Sequence, residues 1–134
     1  MKYLLDTNIC ILLIGKKSPA VLQKLTQQTY TDVTISSLTV AELQYGVQKS
    51  KRPVQNQQAL DHFLLPLTII PFDEQATMKY GEIRAHLEAQ GTPIGAIDTL
   101  LAAQALSHNL VLVTNNVREF ARVPSLTVED WSQP

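Results

Sequence analysis

Short runs of apolar and β-branched residues alternate with stretches of helical periodicity from one end of this chain to the other. That alternation constrains the fold more than any other feature. Residues 1–5 form a mostly apolar run that opens into Asp6-Thr7-Asn8, where a helix cap leads into an apolar stretch at 9–14. Ser18-Pro19 supplies a capping serine and a first-turn proline for a helix reaching about residue 28, with Val21, Leu22 and Leu25 on one face. Residues 32–35 (Asp-Val-Thr-Ile) read as a buried strand. A helix over 38–49 carries Val40, Leu43 and Val47, and its Thr39-x-x-Glu42 matches a capping box. After a basic break at 50–53, the pattern predicts a helix over 54–65, a strand at 68–70 and a long helix over 73–90. Ala76, Tyr80, Ile83 and Leu87 form the apolar stripe of that long helix. A loop at 91–95 precedes a helix over 96–106 that is apolar nearly all round and therefore buried. The fully apolar run 110–113 suits an interior parallel strand, and 126–128 a last strand before Trp131. Such alternation predicts an α/β fold, a parallel sheet covered by helices on both faces. No repeat, linker or break in composition divides it, so a single domain over residues 1–134 is expected.

Composition narrows the class further. A chain of 134 residues is long enough to bury one sizeable core, and 45% hydrophobic against 17% charged residues excludes disordered and low-complexity classes. Cys10 is the only cysteine, which excludes an internal disulfide framework and a multi-cysteine zinc site and suits a reducing, cytoplasmic location. The apolar stretch 9–14 is too short to span a bilayer and follows no basic segment, so neither a membrane span nor a signal peptide is expected. The net charge of −1 gives no overall basic footprint for nucleic acid. It hides an asymmetry, however. Residues 1–60 hold seven Lys and Arg against three acids, whereas residues 61–134 hold four against nine.

The placement of particular acids carries the chemistry. In a doubly wound sheet, ligands bind beyond the carboxyl ends of the strands. Asp6 follows the first strand, Glu42 lies one turn into the helix after the second, Asp98 opens the buried Ala/Leu-rich helix, and Glu119 stands three residues beyond Asn116 after the fourth. Each has a structural explanation alone: Asp6 and Asp98 as helix-start residues, Glu42 in the capping box, Glu119 as a surface residue beside Arg118 and Arg122. Together they predict four carboxylates at one sheet edge, and no Lys or Arg lies within three residues of Asp6, Glu42 or Asp98. A divalent cation is the fitting counter-charge, and all-oxygen donors select Mg2+ or Mn2+. Carboxylates, such an ion and water point to phosphodiester hydrolysis.

In this order and spacing the motifs resemble the PIN domain of the VapC toxin family. The matching blocks are Leu4-Leu5-Asp6-Thr7-Asn8, Ile35-Ser36-Ser37-Leu38-Thr39-Val40-Ala41-Glu42-Leu43-x-x-Gly46, Ile94-Gly95-Ala96-Ile97-Asp98-Thr99-Leu100-Leu101-Ala102-Ala103, and Leu112-Val113-Thr114-Asn115-Asn116-x-x-Glu119-Phe120. The resemblance implies a three-layer α/β/α PIN-like fold with a mostly parallel sheet of four to five strands. It also implies a Mg2+- or Mn2+-dependent endoribonuclease that is the toxin of a type II toxin–antitoxin pair. Its implied partners are a VapB-type antitoxin, an RNA substrate such as the anticodon loop of initiator tRNA, and a second copy of the chain. The family's acidic tetrad maps onto Asp6, Glu42, Asp98 and the fourth block. Many members carry Asp where this chain has Asn116, so Glu119 takes the fourth acidic role and Asn116 a supporting one. By the same resemblance Asp6 and Asp98 hold the ion, Glu42 and Glu119 act through its waters, and Thr7, Ser37, Thr114 and Asn116 support them.

The basic stretch at Lys49, Lys51 and Arg52 is a candidate contact for RNA phosphates. His62, His86 and His108 form no spaced metal pair and read as isolated side chains. Cys10 in its apolar run reads as core, and Tyr80, Ile83 and Leu87 as packing. A phosphatase of the haloacid dehalogenase type is disfavoured, since position 8 is Asn and no lysine follows Lys79. A non-catalytic RNA-binding or regulatory protein with the same fold is the remaining alternative, separated from the nuclease by a cleavage assay.

Overall fold

In the computed structural model, which describes residues 1–133, every strand is short and parallel to its neighbours. The elements in chain order are β1 (Tyr3–Leu5), α1 (Thr7–Ile14), α2 (Pro19–Thr26), β2 (Val33–Ser36), α3 (Ser37–Lys49), α4 (Pro53–Leu64), β3 (Thr68–Ile70), α5 (Glu74–Ala89), α6 (Ala96–Ser107), β4 (Val111–Val113), α7 (Val117–Phe120) and β5 (Val128–Glu129). A single 3-10 turn, Tyr30–Asp32, leads into β2. The sheet order is β3-β2-β1-β4-β5. The chain thus builds outward from β1 in one direction and then returns to build β4 and β5 on the other side.

Side-chain alternation along the strands divides the core. Tyr3, Leu5, Val33, Ile35 and Val113 join Ile9, Leu13, Leu43 and Leu60 on the α1–α4 face. Leu4, Ile70 and Leu112 join Ile83, Leu87, Ala102 and Phe120 on the α5–α6 face. Both faces are covered because a parallel sheet needs crossover helices, and this is why 110–113 reads as an unbroken apolar run. Trp131 closes the α1–α4 face, its ring centroid 5.1 Å from that of Tyr3 at 72°, with its indole N–H donating to Glu129 Oε1 at 3.0 Å.

The helix ends follow local chemistry. Ser18 Oγ accepts from Val21 N at 3.3 Å, with Pro19 in the first turn, as the sequence predicts. Asp73 caps α5 through Ala76 N at 3.0 Å. Three expectations need correction. The capping box Thr39-x-x-Glu42 does not exist: α3 begins two residues earlier, and Ser36 caps it by accepting from Leu38 N at 3.0 Å. The last strand is Val128–Glu129, shifted toward the C-terminus from 126–128, because Leu112 and Val113 pair with Val128 and Glu129. His108 is not isolated; its Nε2 lies 2.8 Å from Asp73 Oδ2 and joins the end of α6 to the start of α5. Those helices pack side by side, so the α5 stripe of Ala76, Ile83 and Leu87 is internal core. The fully buried Gln104 ties α6 to the end of β3, donating to Ile70 O at 3.2 Å and Pro71 O at 2.9 Å.

Candidate active site

The strand order reverses between β1 and β4, where the crevice beyond the carboxyl ends of the strands is the expected ligand position. Asp6 stands at that point. Its backbone N–H donates to Val113 O at 2.9 Å, continuing the β1–β4 pairing by one residue. Its side chain caps α1, with Oδ1 accepting from Ile9 N at 2.9 Å. The structural and functional readings of Asp6 therefore hold together: the cap fixes one carboxylate oxygen, and the residue also lines the cleft. Asp6 is only 3% exposed. Burial pushes its carboxyl above the ordinary value, and the charges of Asp130 and Glu42 add to that, while hydrogen bonds from Thr114 and from the Ile9 N–H oppose it.

The remaining acids arrive from three other elements. On α3, Glu42 is held by the Thr7 hydroxyl, which donates to Oε1 at 2.5 Å and lies 3.3 Å from Thr39 Oγ1. The first turn of α6 carries Asp98. Beyond β4, Glu119 on α7 accepts from Gly95 N at 3.1 Å and from the Asn116 side-chain amide. That bond to Gly95 brings α7 against the loop that leads into α6, and so places Glu119 beside Asp98. The Asp98 carboxyl is pushed up to about 7: burial contributes most, followed by the charge and hydrogen bonding of Glu119 and the charges of Asp6 and Glu42. Four acids from four segments thus sense one another electrostatically.

Asp6, Thr7, Asn8, Ile11, Glu42, Tyr45, Gly46, Lys49 and Asp98 line a cleft of about 410 Å³. Among the described residues, none of Asp6, Glu42, Asp98 and Glu119 forms an ion pair with Lys, Arg or His. Nor do any three His, Cys, Asp or Glu side chains already stand as a ready-made metal cage among the described residues. Glu42 and Glu119 are instead engaged in hydrogen bonds with Thr7, Gly95 and Asn116. The donor set is nonetheless all oxygen and anionic, and although Lys49 lines the same cleft, none of the four acids is ion-paired among the described residues, which suits a hard divalent ion.

The supporting residues divide. Thr7 and Thr114 touch acids directly, and Thr114 Oγ1 also accepts from Asn116 N at 2.9 Å, shaping the turn after β4. Asn116 braces Glu119. Ser37 makes no side-chain hydrogen bond among the described residues; its neighbour Ser36 does, as the α3 cap. Of the basic stretch only Lys49 lines the cleft, whereas Lys51 and Arg52 are exposed on the connection to α4. Sequence reasoning missed Tyr45, Gly46 and Asn8 as cleft residues and Asp130 as a charge acting on Asp6. Helical spacing could have found Tyr45 and Gly46, three and four residues beyond Glu42. Asp130 gave no such signal, because it follows the short edge strand β5.

With this arrangement in view, comparison with known proteins decides the family. The model of the PIN domain matches residues 3–126. The chain belongs to the PIN-domain family. Within it, this PIN domain groups with the VapC ribonucleases. It is 46% identical to ribonuclease VapC2 of Rickettsia felis over 99% of this chain and 100% of that protein. It is 41% identical to the tRNA(fMet)-specific endonuclease VapC of Salmonella typhimurium over 98% of both chains. Solved structures agree. The crystal structure of VapBC2 from Rickettsia felis bound to a DNA fragment from its promoter matches with a TM-score of 0.92, covering 98% of this chain and 99% of that one. DNA-bound VapBC from Salmonella typhimurium matches with a TM-score of 0.93, covering 98% of each.

Proposed function

We propose that this PIN domain is the toxin of a VapBC-type toxin–antitoxin pair, an endoribonuclease that depends on Mg2+ or Mn2+. The observation that carries the reading is the cluster of Asp6, Glu42, Asp98 and Glu119 at the switch point of the sheet, none of them ion-paired to Lys, Arg or His among the described residues. Asp6 and Asp98 are the carboxylates that would hold the ion, with Glu42 and Glu119 supporting them. The chemistry it would supply there is polarisation of the scissile phosphate and a lowered pKa of water. The protein's own residues do the rest. Thr7 fixes Glu42 at the cleft wall by donating to Oε1, and the Glu42 and Glu119 carboxylates keep lone pairs that would accept water hydrogens and so orient the nucleophile. Asn116 and the Gly95 N–H fix both oxygens of Glu119, so that it acts from a defined position. With Glu119 supplying the fourth charge, the amide at position 116 does not abolish the chemistry.

Transfer RNA is the favoured substrate, since the Salmonella relative is named for its action on tRNA(fMet) and resembles this chain over nearly its full length. A VapB-type antitoxin is the favoured partner, because the similar VapC chains are solved as VapBC complexes. An apolar groove of about 300 Å³ between α1, α3 and α4 suits an antitoxin segment; Ile11, Ile14, Leu43, Val47 and Leu60 line it, and it shares Thr7, Glu42 and Gly46 with the acidic cleft. A segment lying there would end over the carboxylates and block them. A second copy of the chain is the further expected partner, tested by sedimentation. Mapping RNA ends after brief expression in cells tests activity and identifies the substrate together. New ends confined to one tRNA loop are expected, and an unchanged pattern relative to an Asp98→Asn control would contradict the reading.

A further inference from the structure

Helix α3 presents one continuous stripe to the acidic cleft: Glu42, Tyr45, Gly46 and Lys49, at spacings of three, four and seven residues. We propose that Tyr45, Gly46 and Lys49 form a subsite for one unpaired base of the RNA substrate and its adjoining phosphate, next to the carboxylates that act on the scissile bond. The inference rests on the ribonuclease reading above.

Three observations carry it. Tyr45 is 67% exposed although it belongs to the cleft wall, so most of a large aromatic residue is open to solvent beside the acids. Lys49 Nζ stands 5.0 Å from that ring's centroid, which places a cation at the ring without burying it in an ion pair. Gly46, between them on the stripe, has no atom within 4 Å of where a Cβ would stand, so the absence of a side chain there leaves the cleft floor open. An exposed ring, an open floor and a nearby ammonium match what single-stranded RNA offers: a flat base face to stack on and a phosphate to neutralise. No other residue type in the cleft supplies a π surface, since the remaining walls are carboxylates, Thr7, Asn8 and Ile11. Tyr45 lies about one helical turn from Glu42, so the stacked base would lie close to the scissile phosphate.

The test uses the full chain and short single-stranded RNAs carrying the cleaved sequence. Stacking against tyrosine is worth roughly tenfold to a hundredfold in affinity per base, so Tyr45→Ala is expected to raise KM by about that factor with kcat little changed. Tyr45→Phe and Tyr45→Trp should restore it, because both keep the π face. An abasic site at the stacked nucleotide should weaken the wild type but not Tyr45→Ala, which identifies the nucleotide. A 2-aminopurine at that position should lose fluorescence on binding to Asp98→Asn protein, a readout independent of cleavage. Since Tyr45 is exposed, thermal unfolding of its variants should match the wild type. An unchanged KM for Tyr45→Ala would overturn the subsite. So would a defect that no abasic position relieves, or one seen only in antitoxin binding or in the sedimentation mass. Absence of cleavage by the wild type with 2-aminopurine quenching intact would instead overturn the nuclease reading and leave the base subsite standing.

Discussion

Asp98 shows how a single residue can trade stability for chemistry. Its folded-state pKa of about 7 lies above the ordinary carboxyl value of 3.8. Between those values the native protein holds a proton that the unfolded chain releases. The stability this group contributes is therefore complete below about pH 4 and is lost as pH rises toward 7. Replacing it with the uncharged isostere removes that loss. Asp98→Asn is expected to abolish cleavage and yet raise the melting temperature at pH 8 by about 4 °C, a gain of about 1 kcal/mol after allowance for solvent screening. Scanning calorimetry at pH 4 and pH 8 checks this, and the difference should vanish at the lower pH. A variant that melts at or below the wild type at pH 8 would show that burial and the neighbouring acids do not make the ionised Asp98 carboxylate destabilising. Added Mg2+ should stabilise the wild type at pH 8 and leave Asp98→Asn nearly unmoved, because a ligand stabilises only through the state that binds it.

At the scale of elements, Asp6 both caps α1 and lines the cleft, and the two roles separate by substitution. Asparagine is as good an N-cap as aspartate, whereas alanine costs about 1 kcal/mol. Both Asp6→Asn and Asp6→Ala should lose cleavage, but only Asp6→Ala should lose stability in urea titration; equal stability of the two would remove the cap from the account. The elements were legible in the sequence wherever one signal dominated. Ser18-Pro19 marked α2, the β-branched stretch 32–35 marked β2 (Val33–Ser36), and the unbroken apolar 110–113 marked the interior parallel strand β4 (Val111–Val113). They were less legible where two local signals competed. Thr39 and Glu42 have capping-box spacing, but the preceding Ser36 takes the cap, leaving Thr39 buried next to Thr7 and Glu42 bound by Thr7. The last strand shifts because pairing with β4, a contact between distant segments, decides its register. The four acids could be read from their positions at strand ends. Their coupling could not, because the Glu119–Gly95 bond joins residues 24 apart and depends on how α7 folds back. Tyr45 was not legible because an aromatic residue on a helix signals packing as readily as an open cleft wall, and only the packing of α3 leaves it exposed.

For the whole molecule, a net charge of −1 is an average over unlike regions. Four of the twelve acids gather at one sheet edge, and the first sixty residues keep seven basic side chains against three acids, two of which are Asp6 and Glu42. The site itself is acidic, whereas three of those basic side chains follow one another from the end of α3 onward. Lys49 reaches into the cleft, and Lys51 and Arg52 extend the positive charge along the connection to α4. Substituting Lys51 and Arg52 together with alanine is expected to weaken RNA binding. It should also reduce the slope of log affinity against log salt by up to about 1.4, roughly 0.7 per lost contact with single-stranded RNA. Fluorescence anisotropy across a salt series measures it, and an unaltered slope would place the RNA elsewhere. The central claim is that the carboxylates at the β1–β4 switch point cut RNA with a divalent ion. Its most direct measurement is cleavage of purified transfer RNA by cleanly purified protein, with Mg2+ and with chelator, alongside Asp98→Asn. The account predicts discrete products only for the wild type with Mg2+; equal cleavage by the variant or in chelator would contradict it.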